Sequence, residues 1–408
     1  MFASRDRRAS IGTICLTVFL DLLGFGLVVP YLPGVARIHG ASDFVATLLG
    51  AAYSLMQLFF VPIWGHLSDR IGRRPLLVWS IAASMIGMCI LGSATSLWML
   101  FAARIWSGIA TSNIAVAQAY IADVTPPRDR AKGMGMIGAG IGLGFVVGPV
   151  LGGLLEAWSP LSRVGALPAY AAAALSAVNL ALALTFLPES LTPGNRGTKV
   201  RSASPFDGER FRIALRFPGV GLVMLVNFVV VLSFSGLEQT FRLFTADEFQ
   251  MSVRGTGMVL GFVGVVLVLV QGLLLRRIAH LFTERSLVRV GVLIQSIGFV
   301  AIALSPHAQI GSVLAVYMAS GIIALGSGLT NPSLSAFVSK CSDEQHQGVV
   351  LGVFQSIGAL ARVCGPAASG LLYQQIGHSG PYFAAAAGMT VAGAFAIALK
   401  NPGAHGAI

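Results

Sequence analysis

From Val290 to Ser339 the chain contains no Lys, Arg, Asp or Glu. Six further windows are equally free of charge: Pro75 to Ala103, Gly133 to Leu155, Val164 to Pro188, Phe217 to Leu237, Gly255 to Leu275 and Val363 to Leu399. About 20 apolar residues cross the hydrocarbon of a bilayer as a helix. Each window is that long, and the first is too long for one helix. Water cannot be the main solvent of such a chain. A soluble domain is about 25% charged, whereas this one is 11% charged and 55% hydrophobic.

Turn and loop residues divide the chain into twelve predicted spans. They are 10–33, 44–66, 75–94, 97–122, 131–156 and 166–187, then 217–244, 252–277, 286–305, 310–339, 347–373 and 379–399. The expected fold class is all-α integral membrane, with six helices in 1–188 and six in 217–408. A Ser-, Pro-, Gly- and Arg-rich segment, 189–216, reads as a cytoplasmic linker. With the N-terminus inside, Lys and Arg fall on the inner side almost throughout. Arg37, Arg163, Arg242 and Arg254 are outside, and Arg104 and Arg362 lie within spans. That bias predicts both termini in the cytoplasm. The basic start, MFASRDRRAS, runs into apolar sequence that continues past Pro30 without a small-residue cleavage site, so it reads as a retained first helix.

Several function classes drop out. The net charge of +11 is spread over short loops between apolar runs, so no nucleic acid is expected as a partner. Cys15, Cys89, Cys341 and Cys364 form no C-x-x-C pair, and the seven histidines have no ligand spacing, so no metal site or disulfide framework is expected. An intramembrane lipid-modifying enzyme needs paired acids or a nucleophile beside a base, and the chain has neither. No organic cofactor is called for.

The two halves resemble each other. GMGMIGAGIGLGFVVGPVLGGLL and LGVFQSIGALARVCGPAASGLLY align with Gly135 over Gly352, Gly148-Pro149 over Gly365-Pro366, and Gly153 over Gly370. AYIAD (119–123) lies over AFVSK (336–340) at the same offset. A repeated six-helix unit points to a transporter, in which two similar bundles rock about a site between them.

Two motifs carry more. GHLSDRIGRRP, after the second span, holds Gly65, Asp69, Arg70, Gly72, Arg73 and Arg74. Gly65 permits close helix approach, Asp69 suits a helix N-terminus, and the arginines suit carboxylates at helix ends such as Asp123. In the fifth span Gly140, Gly144, Gly148 and Gly152 recur every four residues, with Pro149 and Gly153 following. That ridge suits close backbone packing. The first motif resembles the signature loop of the major facilitator superfamily, G-x-x-x-D-R-x-G-R-[RK]. GLGFVVGPVLGG resembles that superfamily's drug–proton antiporter motif. With FLDLLGFGLVVPYLPG and ARIWSGIATSNIAVAQAYIADV, the resemblance is to the tetracycline-efflux branch over residues 11 to 156. SFSGLEQTFRLFTADEFQ is closer to the tetracycline-transporter-like proteins of eukaryotes. There are departures. Gly87 lies near the point where tetracycline pumps place an acid in helix 3, and where those pumps use a His and an Asp in helices 8 and 9, these helices offer Gln271 and Gln295 and no buried acid. Tetracycline is therefore not carried over as the substrate.

Ionisable groups inside spans cost at least ~2.5–3.5 kcal/mol each on insertion scales. Asp21, Arg104, Glu238 and Arg362 are the clear cases. Asp21 reads as a proton site or an arginine's partner. Arg104 matches the superfamily's helix 4 arginine, which the resemblance implies couples proton and substrate, or it snorkels outward. Glu238 lies four residues before Arg242, a spacing that also suits an internal ion pair. Arg362 has Phe145 at its aligned position, and this lone cation suits Asp21, Glu238 or an anionic solute. Candidate cavity-lining residues are Phe25, Asn113, Gln118, Phe145, Asn227, Phe234, Gln271, Gln295, Asn331 and Gln355. The expectation is a monomer in a bacterial inner membrane that exports a lipophilic or amphipathic small molecule by proton antiport. Proton-linked or facilitated passage of a metabolite or lipid is the alternative.

Overall fold

The computed structural model describes residues 4–126, 130–159, 164–191, 207–308, 312–342 and 346–399. Most of the expected linker, 192–206, lies outside the described residues, as do Arg128, Arg163, Arg196, Lys199, Arg201 and Lys400. The regular structure is helical throughout the described residues, with no strand. Twelve helices are long and apolar enough to cross a bilayer. They are α1 (Ile11–Ile38), α2 (Asp43–Ile71), α3 (Arg73–Gly92), α4 (Leu97–Val124), α5 (Gly133–Glu156), α6 (Ala166–Phe186), α7 (Val220–Phe249), α8 (Val253–Ile278), α9 (Glu284–His307), α10 (Val313–Lys340), α11 (Gln347–Ile376) and α12 (Gly380–Ala398). A helix satisfies its own backbone, which is why this architecture survives in hydrocarbon.

Four helices depart from the plain spans read from sequence. α1 breaks at Val29–Tyr31 and resumes as a short helix, Leu32–Ile38. α2 runs on to Ile71, so most of GHLSDRIGRRP is helix rather than loop. Only Gly72, at φ 111°, separates it from α3. α4 breaks at Thr111–Asn113. α8 contains a π-helical turn at Val270–Leu274. The end of the expected linker is also ordered. Gly208–Leu215 forms a short helix, capped by the Asp207 carboxylate accepting from the Glu209 N–H at 3.1 Å.

The chain forms two compact units. The first comprises 1–41, 52–205 and 253–261, and the second 42–51, 206–252 and 262–408. In the first, α1 packs on α5 and α6, and α3 packs on α6. In the second, α7 packs on α11 and α12, and α9 packs on α12. The same pairings recur one repeat apart, as the internal alignment predicts.

The glycines show why. Along α5, Gly140 approaches Cys15 and Phe19 of α1, Gly144 approaches Leu22 and Leu23, Gly148 approaches Gly26, and Gly152 lies on the Leu27 carbonyl. This ridge sets α5 against α1 at backbone distance. The next residue, Gly153, turns the other way and meets Val253, Arg254 and Gly257 of α8. In the second unit Gly365 of α11 meets Leu232, Ser235 and Gly236 of α7, while Gly370 meets Phe44 and Thr47 of α2. The aligned glycines do equivalent work. Gly65 and Gly135 instead have open space where a Cβ would stand, so the close approach expected of Gly65 is absent among the described contacts.

Helix ends are tied by charge. The last carbonyls of α12 accept from Arg289 (Nε to Ala396 O, 2.9 Å) and Arg285 (Nη2 to Ile397 O, 2.9 Å). In the first unit Arg74 does the same for the end of α6, donating to Leu184 O at 2.7 Å. Cations at a helix C-terminus are favoured by its dipole. Lys340 at the end of α10 forms an ion pair with Glu284 at the start of α9. Beside it, burial pushes the Cys341 thiol up to about 11.

Two expectations follow. A side chain at 152 must displace α1 backbone, and overpacking of this kind costs roughly 1–3 kcal/mol. Gly152→Val should therefore lose most of its monodisperse peak in detergent size-exclusion, whereas Gly135→Ala should not. At pH 8 only roughly a thousandth of a thiol with that pKa is thiolate. Maleimide labelling of Cys341 should thus be slow at pH 8 and accelerate steadily toward pH 11, followed by mass spectrometry.

Candidate functional site

Within the first unit, α1 presents Thr17, Asp21 and Phe25 on successive turns. Asp21 lies in mid-span, where a bare carboxylate is costly. Its two oxygens are held by amides. Asn113 Nδ2 donates to Oδ2 at 3.0 Å, and Asn179 Nδ2 donates to Oδ1 at 3.0 Å. Asn179 also donates to Thr17 O at 3.2 Å. The break in α4 positions Asn113, because Thr111 and Ser112 turn their hydroxyls back to Ser107 O and Gly108 O. Of the two readings for Asp21, the arginine partner is not what stands there: its described hydrogen bonds come from neutral asparagines.

Arg104 is 2% exposed. Its guanidinium lies over the Tyr53 ring, 4.3 Å from the centroid, and 5.5 Å from that of Phe25. A cation on aromatic faces is stabilised by about 0.5–2 kcal/mol, more when desolvated. Phe25 in turn meets Tyr53 (5.1 Å) and Phe145 (5.9 Å). The Tyr53 hydroxyl lies 2.7 Å from Thr111 Oγ1 and accepts from Gln57 Nε2 at 2.9 Å. One wall of the first unit thus joins an acid, a cation and an aromatic cluster.

The second unit holds the other candidates more loosely. Asn227 donates to Phe354 O at 3.4 Å, beside Gly358, whose Cβ position is 3.9 Å from Arg362 Nη1. Arg362 and Gln355 are exposed on α11, and Glu238 and Phe234 are half-buried on α7. Arg242 donates to Met251 O at 3.1 Å. Gln295 is fully buried and donates to Thr330 Oγ1 at 2.9 Å, so it clamps α9 to α10. Gln271 is exposed in the π turn. Asn331 is exposed on α10, and Gln118 on α4.

The charged motif forms a second cluster at the α2–α3 junction. Arg73 is 3% exposed and bonds Asp69 (2.5 Å), Asp123 (3.2 Å) and the Ser68 hydroxyl. Arg70 is exposed. Glu189, just past α6, accepts from the N–H groups of Arg73 (3.0 Å) and Arg74 (3.3 Å). It thereby caps α3, whose own N-cap, Gly72, has no side chain. A Cβ on Gly72 would collide with the Glu189 carboxylate, so glycine is needed here for space as well as for its φ.

Sequence reasoning missed Tyr53, Gln57, Thr111, Asn179 and Glu189. Asn179 carried a signal, as the lone carboxamide of an alanine-rich span. Tyr53 and Gln57, four apart on α2, share a face.

The family model for the Major Facilitator Superfamily matches residues 14–366. The chain belongs to the major facilitator superfamily. Its similarity to the class C tetracycline resistance protein of Escherichia coli is 35% identity over 353 residues, 86% of each chain. It is 28% identical to major facilitator superfamily domain-containing protein 10 of Mus musculus, covering 90% of this chain and 89% of that one. The solved human organic anion transporter MFSD10 superposes with TM-score 0.73 at 26% identity, covering 96% and 99%. A bacterial homologue of the lysosomal transporter Spinster superposes at 0.76 and 15% identity, which shows the shared fold. This major facilitator protein is thus a membrane transporter of small molecules and not an enzyme.

Removing the Glu189 cap should cost about 0.5–2 kcal/mol, and forcing a Cβ onto Gly72 at positive φ about 1–3 kcal/mol. Glu189→Ala and Gly72→Ala should each lower the melting temperature in detergent. Because both disturb the same contact, the double variant should be less destabilised than the sum.

Proposed function

We propose that this chain is a proton-coupled antiporter that exports a lipophilic or amphipathic small molecule by alternating access. The observation that carries the reading is Asp21, an acid in mid-span held by two neutral amides next to the Arg104 aromatic cluster. Asparagine amides orient the carboxylate without neutralising it, so a proton is left as the natural counter-charge. The 35% identity to a tetracycline resistance protein supports efflux. The moving bodies are 1–188 and 217–408, joined by 189–216. The protein works as a monomer in a bacterial inner membrane, with both termini in the cytoplasm. Alternating access requires proton and solute to bind the two states unequally. Protonation of Asp21 would accompany solute release outward and favour the return.

A second reading concerns charge of cargo. Two cations, Arg104 and Arg362, stand within spans, and Arg362 is exposed on α11. Together with the similarity to the human organic anion transporter MFSD10, this favours lipophilic organic anions over cations as cargo.

The test is reconstitution with an internal pH dye. Tetracycline, a lipophilic cation and an anionic dye are each added to proteoliposomes. Proton movement is expected with at least one of them, abolished in Asp21→Asn and reduced at least tenfold in Glu238→Gln if that acid shares the task. Arg362→Gln should selectively slow the anionic dye. Solute flux that persists unchanged when the proton gradient is collapsed would overturn antiport.

A further inference from the structure

The last turn of α8 runs into a short loop, RRIAHLFTE (276–284), before α9 begins. Arg276, Arg277 and His280 are exposed there. So are two large apolar residues beside them, Leu281 at 67% and Phe282 at 53%. Their backbone is fixed, because the N–H groups of Leu281 and Phe282 both donate to Ile278 O, at 2.9 and 3.1 Å. α9 starts directly afterwards, where the Thr283 hydroxyl accepts from the Ser286 N–H at 3.3 Å.

Two demands of this loop go unmet among the described residues. The first is charge. In the first unit the equivalent α2–α3 junction sets its buried arginine, Arg73, against Asp69 and Asp123. The α8–α9 junction has one acid, Glu284, and Lys340 takes it. Arg276 and Arg277 make no ion pair and no side-chain hydrogen bond among the described residues, and neighbouring like charges repel. The second demand is apolar surface, since Leu281 and Phe282 stand at a helix end and are unfavourable in water. Depth decides what meets both. α8 has 26 residues, about 39 Å of helix at ~1.5 Å per residue. The hydrocarbon is ~30 Å thick, and ~40–45 Å with the headgroups. A span of that length carries its last turn into the headgroup layer. Arginine forks match phosphate oxygens, and Leu and Phe suit the boundary with the acyl chains. A soluble acidic partner would answer the charge, whereas the bilayer answers charge and apolar surface together and already surrounds α8.

We propose that the α8–α9 junction is a binding site for an acidic phospholipid. Arg276 and Arg277 take its anionic headgroup, and Leu281 and Phe282 seat at the boundary between headgroup and acyl chains. The site belongs to the second unit, whereas Asp21 and the Arg104 cluster belong to the first. It depends on neither proton coupling nor the identity of the cargo.

The test measures lipid preference beside the loop. The full chain, with its four cysteines replaced by serine, carries a bimane on Ala279→Cys or, as a mid-span reference, on Leu269→Cys. Each is reconstituted in equal parts of phosphatidylcholine and phosphatidylglycerol, with one or the other lipid brominated on its acyl chains. A cation near an acidic lipid surface strengthens attachment roughly fivefold. At 279, brominated phosphatidylglycerol should therefore compete at least fivefold better than brominated phosphatidylcholine, and at 269 the two should quench alike. Arg276→Gln with Arg277→Gln should bring the ratio at 279 close to one, while Arg276→Lys with Arg277→Lys should keep most of it. Should the neutral pair fail to fold, salt at about 1 M, where the Debye length is ~3 Å, should at least halve the ratio in the chain that keeps both arginines. Equal quenching by the two lipids at 279, no quenching there at all, or a preference indifferent to salt and to loss of both arginines would each overturn the site.

Discussion

In hydrocarbon a backbone amide finds no water, and this one constraint organises the molecule. Twelve helices satisfy their own amides, so irregular backbone is confined to a few places. Gly72 turns the chain between α2 and α3, and Glu189 supplies the carboxylate that takes up the freed N–H groups. At Thr111 and Ser112 the hydroxyls return to carbonyls one turn back. The break of α1 at Val29–Tyr31 and the π turn in α8 are the others.

With every helix self-satisfied, the bundles are joined by surface shape, because lipid tails are as apolar as leucine. Glycine provides the closeness. The ridge on α5 lets its backbone lie against that of α1, and this holds Phe145 near Phe25 and so near Arg104 and Tyr53. The equivalent seam between α11 and α7 carries Arg362 and Asn227 instead. One scaffold, used twice, thus goes with a buried cation stacked on aromatic rings in one unit and an exposed cation in the other.

The fold was readable because it follows from hydropathy and charge bias, which are summed over many residues. The repeat alignment even anticipated that Gly148 and Gly365, or Gly153 and Gly370, occupy equivalent places. Details that depend on a single residue's neighbours were harder to read. Gly65 suggested a close contact and has open space. Gln271 and Gln295 were indistinguishable as polar residues in spans, yet one is a buried clamp and the other is exposed. Asn179 and Glu189 act on residues more than a hundred positions away, and no local pattern announces such a partnership.

The ion pairs at the ends of the third and fourth helices of each repeat have opposite polarity. In the first unit the arginine stands at the start of α3 and the acid, Asp123, at the end of α4. In the second the acid, Glu284, opens α9 and the lysine, Lys340, ends α10. Asp123 and Lys340 are the aligned positions. A swap of partners between repeats would set acid against acid and base against base. The charges at these helix ends therefore favour pairing within a repeat and penalise pairing across repeats, so the two similar sequences carry an internal marker of which helices belong together.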